Sequence, residues 1–387
     1  MSSKKMKLGL ANTMFAVPIL AVATVGSAFA HGNDASPDGG PWVTRQFDFS
    51  APALNFESTV PRDANVQTAP MEPNPPDTIG NVKVIGKITS DKNNPEIETS
   101  ILGYNLPAPA TAWRLCTFEV EALGYIPRIS KSSDDLTEVG LLAQKADNGK
   151  PKSAAISYCF VREKQAVGVF FVVDVSRAAS MDAANNLVHK ADRYATTLID
   201  SLSWANQQQS SFGRELQEIP LRTGSVEHRI RIPNGWDIPI NDFHGPLPAE
   251  LHMVRRNNGK DVGLVWLFVQ NMKEKPDLET AGAALVKDYF VKQTSDARSP
   301  VLVSSEEDSA LADQGFAART FRFSVEDKKG RGAGDIEALV AWKHGQLSVL
   351  TLWSAWTASS DRNTFFSRLP GLSVYDILRQ AALKTQP

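Results

Sequence analysis

His228, His244 and His252 fall within a span of 25 residues, close enough to raise the question of a metal site. A zinc site needs imidazole nitrogens converging at about 2.0–2.1 Å from the ion, with Asp242 or Glu250 as the nearby carboxylate partners. The spacings fit no ligand pattern, and His228 shares strand parity with Val226 and Ile230, which suits a core histidine. No metal and no cofactor is expected. The carboxylate pairs Asp134-Asp135 and Glu306-Glu307 are adjacent in sequence, so in a strand they point to opposite faces and not at one bond. They read as solvated loop acids. The chain lacks Gly-x-Ser-x-Gly, His-Glu-x-x-His, Cys-x-x-Cys and the phosphate-binding Gly-x-x-x-x-Gly-Lys. Gly330-Arg331-Gly332-Ala333-Gly334 resembles a nucleotide loop only at first sight. It joins two strands and lacks the helix N-terminus such loops exploit. No catalytic residue is assigned.

Binding chemistry is better represented. Lys328, Lys329 and Arg331 make a basic hairpin loop able to attract an acidic partner. Five of the eight tryptophans, Trp236, Trp266, Trp342, Trp353 and Trp356, lie in the C-terminal half. Trp353 shares parity with Leu347 and Val349, whereas Trp356 has the opposite parity, so one of the two faces away from the core. An exposed indole there stacks a sugar or anchors a protein; covering a domain edge is the plainer role. Trp236, Trp353, Trp356, Lys328, Lys329 and Arg331 are therefore the candidate binding residues. Cys116 and Cys159 are the only cysteines. Cys116 lies on a helical stripe with Trp113, Val120 and Leu123, and Cys159 lies in a strand, so a helix packed on that strand brings them together. A disulfide and two buried thiols both remain open, because the bond needs a Cα separation under about 7 Å.

The elements that must position these residues come in two series. Ile156–Val161, a turn at Arg162-Glu163-Lys164-Gln165 and Val167–Val173 form a hairpin. A helix follows with Ala184, Leu187, Val188, Ala191, Tyr194, Ala195, Leu198, Ile199 and Leu202 on one stripe. About 180 residues later Ile336–Trp342, the turn Lys343-His344-Gly345-Gln346 and Leu347–Ala355 repeat the hairpin. A helix start at Asp361 follows; Pro370-Gly371 is expected to end that helix and Ser373 to open another. Upstream, each series also holds a hairpin and a helix: Val82–Ile88, Ile97–Tyr104 and Ala110–Leu123 in the first. Leu251–Arg255, Gly263–Gln270 and a helix capped by Asp277 supply them in the second. The prolines of Pro61–Gly80 exclude a central strand or a helix there. The fold class is α+β, as two tandem antiparallel-sheet domains with helices packed on each sheet.

Lys4, Lys5 and Lys7 precede an apolar run from Leu8 to Val25 and the small-x-small sequence Ala28-Phe29-Ala30. Residues 1–30 are expected to be a signal peptide cleaved after Ala30, giving a periplasmic or secreted protein with no later membrane span. Residues 31–41 read as a disordered tail, 42–205 as the first domain, 206–215 as a linker and 216–384 as the second domain. Cleavage leaves 38 basic residues against 43 acidic ones, a net charge of −5, which argues against nucleic acid as a partner.

The order of elements, with Pro233-Asn234-Gly235-Trp236-Asp237 just after a strand, resembles the PsbP-like superfamily. That group includes the extrinsic oxygen-evolving subunit PsbP, Ran-binding import factors and DcrB-type periplasmic proteins. The resemblance covers Leu216–Tyr375; over Trp42–Trp204 it rests on element order, since Pro61-Arg62-Asp63 stands where the Gly-Trp entry belongs. It implies a two-copy α+β sandwich used for docking or assembly and carries over no site. The expected function is a non-catalytic envelope protein that binds an envelope protein or a cell-surface polysaccharide. The alternative is a polymer-acting hydrolase or lyase whose site is built from scattered residues.

Overall fold

The computed structural model describes residues 42–75, 78–89, 97–133, 136–147, 150–206, 216–223, 226–257, 259–293, 299–312, 314–326, 332–355 and 361–384. The expected signal peptide and N-terminal tail, most of the linker, Lys328, Lys329, Arg331 and Trp356 lie outside the described residues.

The chain begins with β1 (Trp42–Phe47), β2 (Phe56–Pro61), β3 (Asn65–Thr68), β4 (Asn81–Thr89), β5 (Ile97–Asn105) and α1 (Ala112–Ala122). It continues through β6 (Ile126–Ser132), β7 (Glu138–Asp147), β8 (Lys150–Arg162), β9 (Gln165–Asp174), α2 (Met181–Asp200) and β10 (Ser203–Trp204). Then come β11 (Leu216–Thr223), β12 (Val226–Pro233), β13 (Asp237–Asn241), β14 (His244–Gly245), β15 (Ala249–Asn257), β16 (Lys260–Asn271) and α3 (Thr280–Gln293). The last elements are β17 (Val301–Glu307), α4 (Ser309–Ala312), β18 (Ala317–Glu326), β19 (Gly332–Lys343), β20 (Gln346–Ala355) and α5 (Asp361–Lys384). The protein is α+β, dominated by antiparallel sheets.

Two sheets of seven strands carry the architecture. One runs β3-β4-β5-β9-β8-β7-β6 and the other β13-β15-β16-β20-β19-β18-β17. The second order reproduces the first, strand for strand, once the two-residue β14 is set aside. The tight turns correspond too: Glu163 (φ 58°) between β8 and β9, and His344 (φ 48°) between β19 and β20, both take the left-handed conformation. Each sheet is covered on both faces. The first buries Ile156, Val169 and Phe171 under α2 and the β1–β2 hairpin, and Val139, Leu141 and Phe170 under α1. The second buries Leu251, Val265 and Leu350 under α5 and the β11–β12 hairpin, and Val254, Phe323 and Val349 under α3. The stripe on α2 lies inward as its period dictates, and Ser180 caps that helix by accepting from the Ala183 amide at 3.1 Å.

The last helix departs from expectation. Pro370-Gly371 does not end it: α5 runs unbroken from Asp361 to Lys384 with Pro370 inside. A proline removes one intrahelical hydrogen bond and crowds the preceding turn. Here packing on both sides of it holds the helix together. Phe365, Phe366 and Leu369, before the proline, belong to the core of the first sheet. Leu372, Val374, Tyr375 and Leu378, after it, belong to the core of the second. Gly80 makes the first contact possible, since a Cβ there would sit 2.8 Å from the Phe366 ring.

A buried ion network lies on the same seam. Arg114 of α1 donates from Nη2 and Nε to Asp376 of α5 at 2.8 and 3.0 Å, and its Nη2 lies 3.3 Å from Glu337 of β19. Arg368 closes the group onto Asp335 at 2.9 Å and Glu337 at 3.6 Å. Thr111, the residue before α1, does not cap its own helix; its hydroxyl donates to Asp376 at 2.7 Å and its amide to Ser373 Oγ at 3.0 Å. Burial opposes the charges of Arg114 and Glu337. The facing carboxylates more than offset this for Arg114, raising its pKa, and Arg114, Arg368 and Arg322 hold that of Glu337 below the usual carboxylate range.

Candidate functional site

Cys116 and Cys159 are bonded, with Cα atoms 5.9 Å apart, and join α1 to β8. Both are fully buried, so the pair is a staple without surface chemistry. Of the three histidines, His252 is the one in a polar chain. Its Nε2 lies 2.7 Å from Glu250 and its Nδ1 3.2 Å from the Tyr289 hydroxyl. A carboxylate, an imidazole and a phenol in sequence suggest a proton relay. The phenol, however, is roofed by Trp266, whose ring stacks on it at 3.7 Å and 4°, and Tyr289 and His252 are both buried. Burial pushes the Tyr289 phenol far up from its ordinary value. The chain therefore ties α3 to β15. No group of three metal-ligating side chains converges among the described residues.

Of the candidate tryptophans, Trp236 and Trp353 lie among the described residues. Trp236 is only 5 % exposed and lies in the core of the second sheet, its ring against Gly263. Trp353 is half-buried, packed beside Phe290 at 6.2 Å. A strand position that matches the parity of Leu347 and Val349 points its side chain under α3. Trp353 thus lies on the core side that its parity predicts, while Trp356, of opposite parity, lies outside the described residues. Glu306 and Glu307, expected in a loop, are instead the last residues of β17.

That strand carries three consecutive exposed large apolar side chains, the longest such run among the described residues. Among the described residues β17 is an edge strand paired only with β18, and Val301, Leu302 and Val303 are 59 %, 40 % and 67 % exposed. The register with β18 shifts between Leu302 and Ser304, which turns Val303 outward. Other edges are protected by familiar means. β6 carries Pro127, Arg128 and Lys131, β3 has four residues, and β13 has five with Pro239 among them. β17 has no proline and no lysine.

A cleft of about 600 Å³ adjoins the far end of β17, where Glu307 and Asp308 line it together with Lys275, Asp277, Glu279 and Arg319. Its electrostatics follow from how each charge is held. Asp277 caps α3, accepting from the amides of Glu279 at 3.0 Å and Thr280 at 3.5 Å, and these bonds with the Thr280 hydroxyl keep its carboxyl below the usual range. Arg379 holds Asp308. Arg319, largely buried, donates to Ser305 Oγ at 2.8 Å and reaches Glu279 at 3.4 Å and Glu307 at 3.9 Å. Both of those glutamates remain well exposed, and the four lining carboxylates outnumber Lys275 and Arg319, so the rim stays anionic. The site as a whole is an extended ledge, apolar at the start of β17 and acidic at its end.

No protein-family model matches the sequence, and no curated protein matches it. Among solved structures, the chain is similar to the cyanobacterial PsbP of Synechocystis, with 15 % identity over 42 % of this chain and 96 % of that one and a TM-score of 0.27. A Pseudomonas aeruginosa protein of unknown function is similar at 10 % identity, covering 44 % of this chain and 96 % of that one, with a TM-score of 0.21. DynU16, from the dynemicin biosynthetic locus, covers 74 % of this chain and 99 % of its own at 11 % identity and a TM-score of 0.15.

Proposed function

We propose that this chain is an exported, non-catalytic docking protein of the bacterial cell envelope, made of two tandem PsbP-like units over residues 42–205 and 216–384. The repeated strand order of the two sheets supports the tandem reading. The open, apolar edge of β17 carries the docking reading. An unpaired strand edge offers backbone donors and acceptors to another strand, so its partner is a polypeptide and not a polysaccharide. The hydrolase or lyase reading needs an acid and a base converging on one bond, and the groups in the cleft are instead drawn into a helix cap and ion pairs.

The test is photo-crosslinking in the native envelope, with a benzophenone side chain at position 303 and, as control, at position 126 of the β6 edge. The expected result is one polypeptide adduct from position 303, absent from position 126 and abolished by Val301→Lys with Leu302→Lys. Equal adducts from both positions, or an adduct indifferent to the lysines, would overturn the proposal.

A further inference from the structure

The ledge has a direction, and the direction restricts what lies on it. Every pairing within the second seven-stranded sheet is antiparallel. A strand added to β17 in continuation of that pattern runs opposite to it, so its first residues face Glu306 and Glu307 and its last face Val303, Leu302 and Val301. Cross-strand neighbours of opposite charge stabilise such a pair, and like-natured apolar neighbours exclude water together. From this polarity we infer that the partner is an extended segment reading, from its N-terminus, basic-basic followed after about two residues by an apolar run.

The beginning of that segment lies beside the cleft. A lysine or arginine there has Glu307 alongside and Glu279 beyond it, two exposed carboxylates that share Arg319 on a rim where acids outnumber the bases Lys275 and Arg319. The strand's end covers the three apolar side chains that β17 leaves to solvent. A second copy of this chain does not fit the same ledge. Antiparallel pairing of β17 with itself sets Val301 against Glu307 and Leu302 against Glu306, burying carboxylates on apolar side chains without a counter-charge.

This inference rests on the docking reading and adds the chemistry and orientation of the partner, so the experiment separates the two. The full chain is mixed in turn with three synthetic peptides: Lys-Lys-Ser-Thr-Val-Leu-Val, its reversed sequence Val-Leu-Val-Thr-Ser-Lys-Lys, and Glu-Glu-Ser-Thr-Val-Leu-Val. Amide hydrogen exchange over residues 301–307 is followed by mass spectrometry. The first peptide is expected to slow exchange there by roughly tenfold more than either other, and raised salt is expected to shrink the difference. Glu306→Lys with Glu307→Lys, both at exposed positions, is expected to transfer the preference to the Glu-Glu peptide. Equal protection by all three peptides would overturn the inferred chemistry and leave edge docking standing. Protection by none, together with no adduct from position 303, would overturn both.

Discussion

Phe118 of α1 and Phe365 of α5 lie face to face, their ring centroids 3.9 Å apart and their planes 9° from parallel. The two residues come from opposite ends of the chain. Stacking them places the first turns of the last helix on the first sheet while the rest of that helix stays on the second. The seam is thus both apolar and ionic, with Arg114 and Asp376 beside the stacked rings on the same two helices.

Loss of the apolar contact should be felt by both sheets. Phe366 is almost fully buried among residues of the first core, and Phe366→Ala is expected to cost about 3–5 kcal/mol in urea unfolding. Residues 42–206 and 216–384, made separately, are expected to associate when mixed, because each exposes its side of this seam. Sedimentation showing two non-interacting monomers would count against the seam as a stable contact.

Removing Arg114 takes the bidentate guanidinium from Asp376 and leaves Glu337 with Arg368. Arg114→Ala is expected to cost about 3–5 kcal/mol at neutral pH, and Arg114→Ala with Asp376→Ala less than the sum of the single changes. A double-mutant cycle that proves additive would show that the pair contributes no coupling.

Acid should weaken the same network. Glu337 has its pKa depressed in the fold, so its stabilisation is complete above its unfolded value near 4.3 and is lost as pH falls through the folded one. Glu337→Gln is expected to be less stable than the parent at pH 7, with the gap closing below about pH 4. Urea midpoints measured across that range give the answer; a gap independent of pH would refute the assignment.

Asp192 should show the opposite sign. Burial in α2, partly countered by His189 and Arg193, pushes its carboxyl up to about 6. The fold then holds this proton more tightly than the unfolded chain does, and ionisation costs stability as pH rises from about 4 to about 6. Asp192→Asn is expected to raise the urea midpoint above pH 7 and to have little effect near pH 4. A midpoint unchanged at both values would mean the carboxyl is not perturbed.

The disulfide closes a loop of 43 residues, for which chain entropy gives a stabilisation of about 4 kcal/mol. Cys116→Ala with Cys159→Ala is expected to lose about that much, and native protein treated with alkylating agent is expected to gain no mass. Two alkylated thiols would show the bond absent.

The central hairpins and the α2 stripe were legible because a half-buried strand alternates every two residues and a half-buried helix every three or four. The same rule hid β17 and β6. Strands exposed at a sheet edge need not alternate, so Val301-Leu302-Val303 left no pattern to find, and the candidate site rests on an element that periodicity misses. Composition marks an aromatic, but only packing decides whether it faces a core or a ligand, as it does for Trp236 in the core of the second sheet.

Local rules also fail where distant parts of the chain meet. Pro370-Gly371 is a stop signal by every neighbour-based criterion, yet the helix continues because two cores hold its two ends. Arg114 and Asp376 are 262 positions apart, and nothing in their own neighbourhoods announces a pair. By itself the sequence determined the repeated hairpins, the inward helix stripe and the two cysteines, since each follows from a residue's near neighbours. The tertiary structure decided the cysteine pairing, the shared helix and the open edge, because these depend on which surfaces meet after the chain has folded.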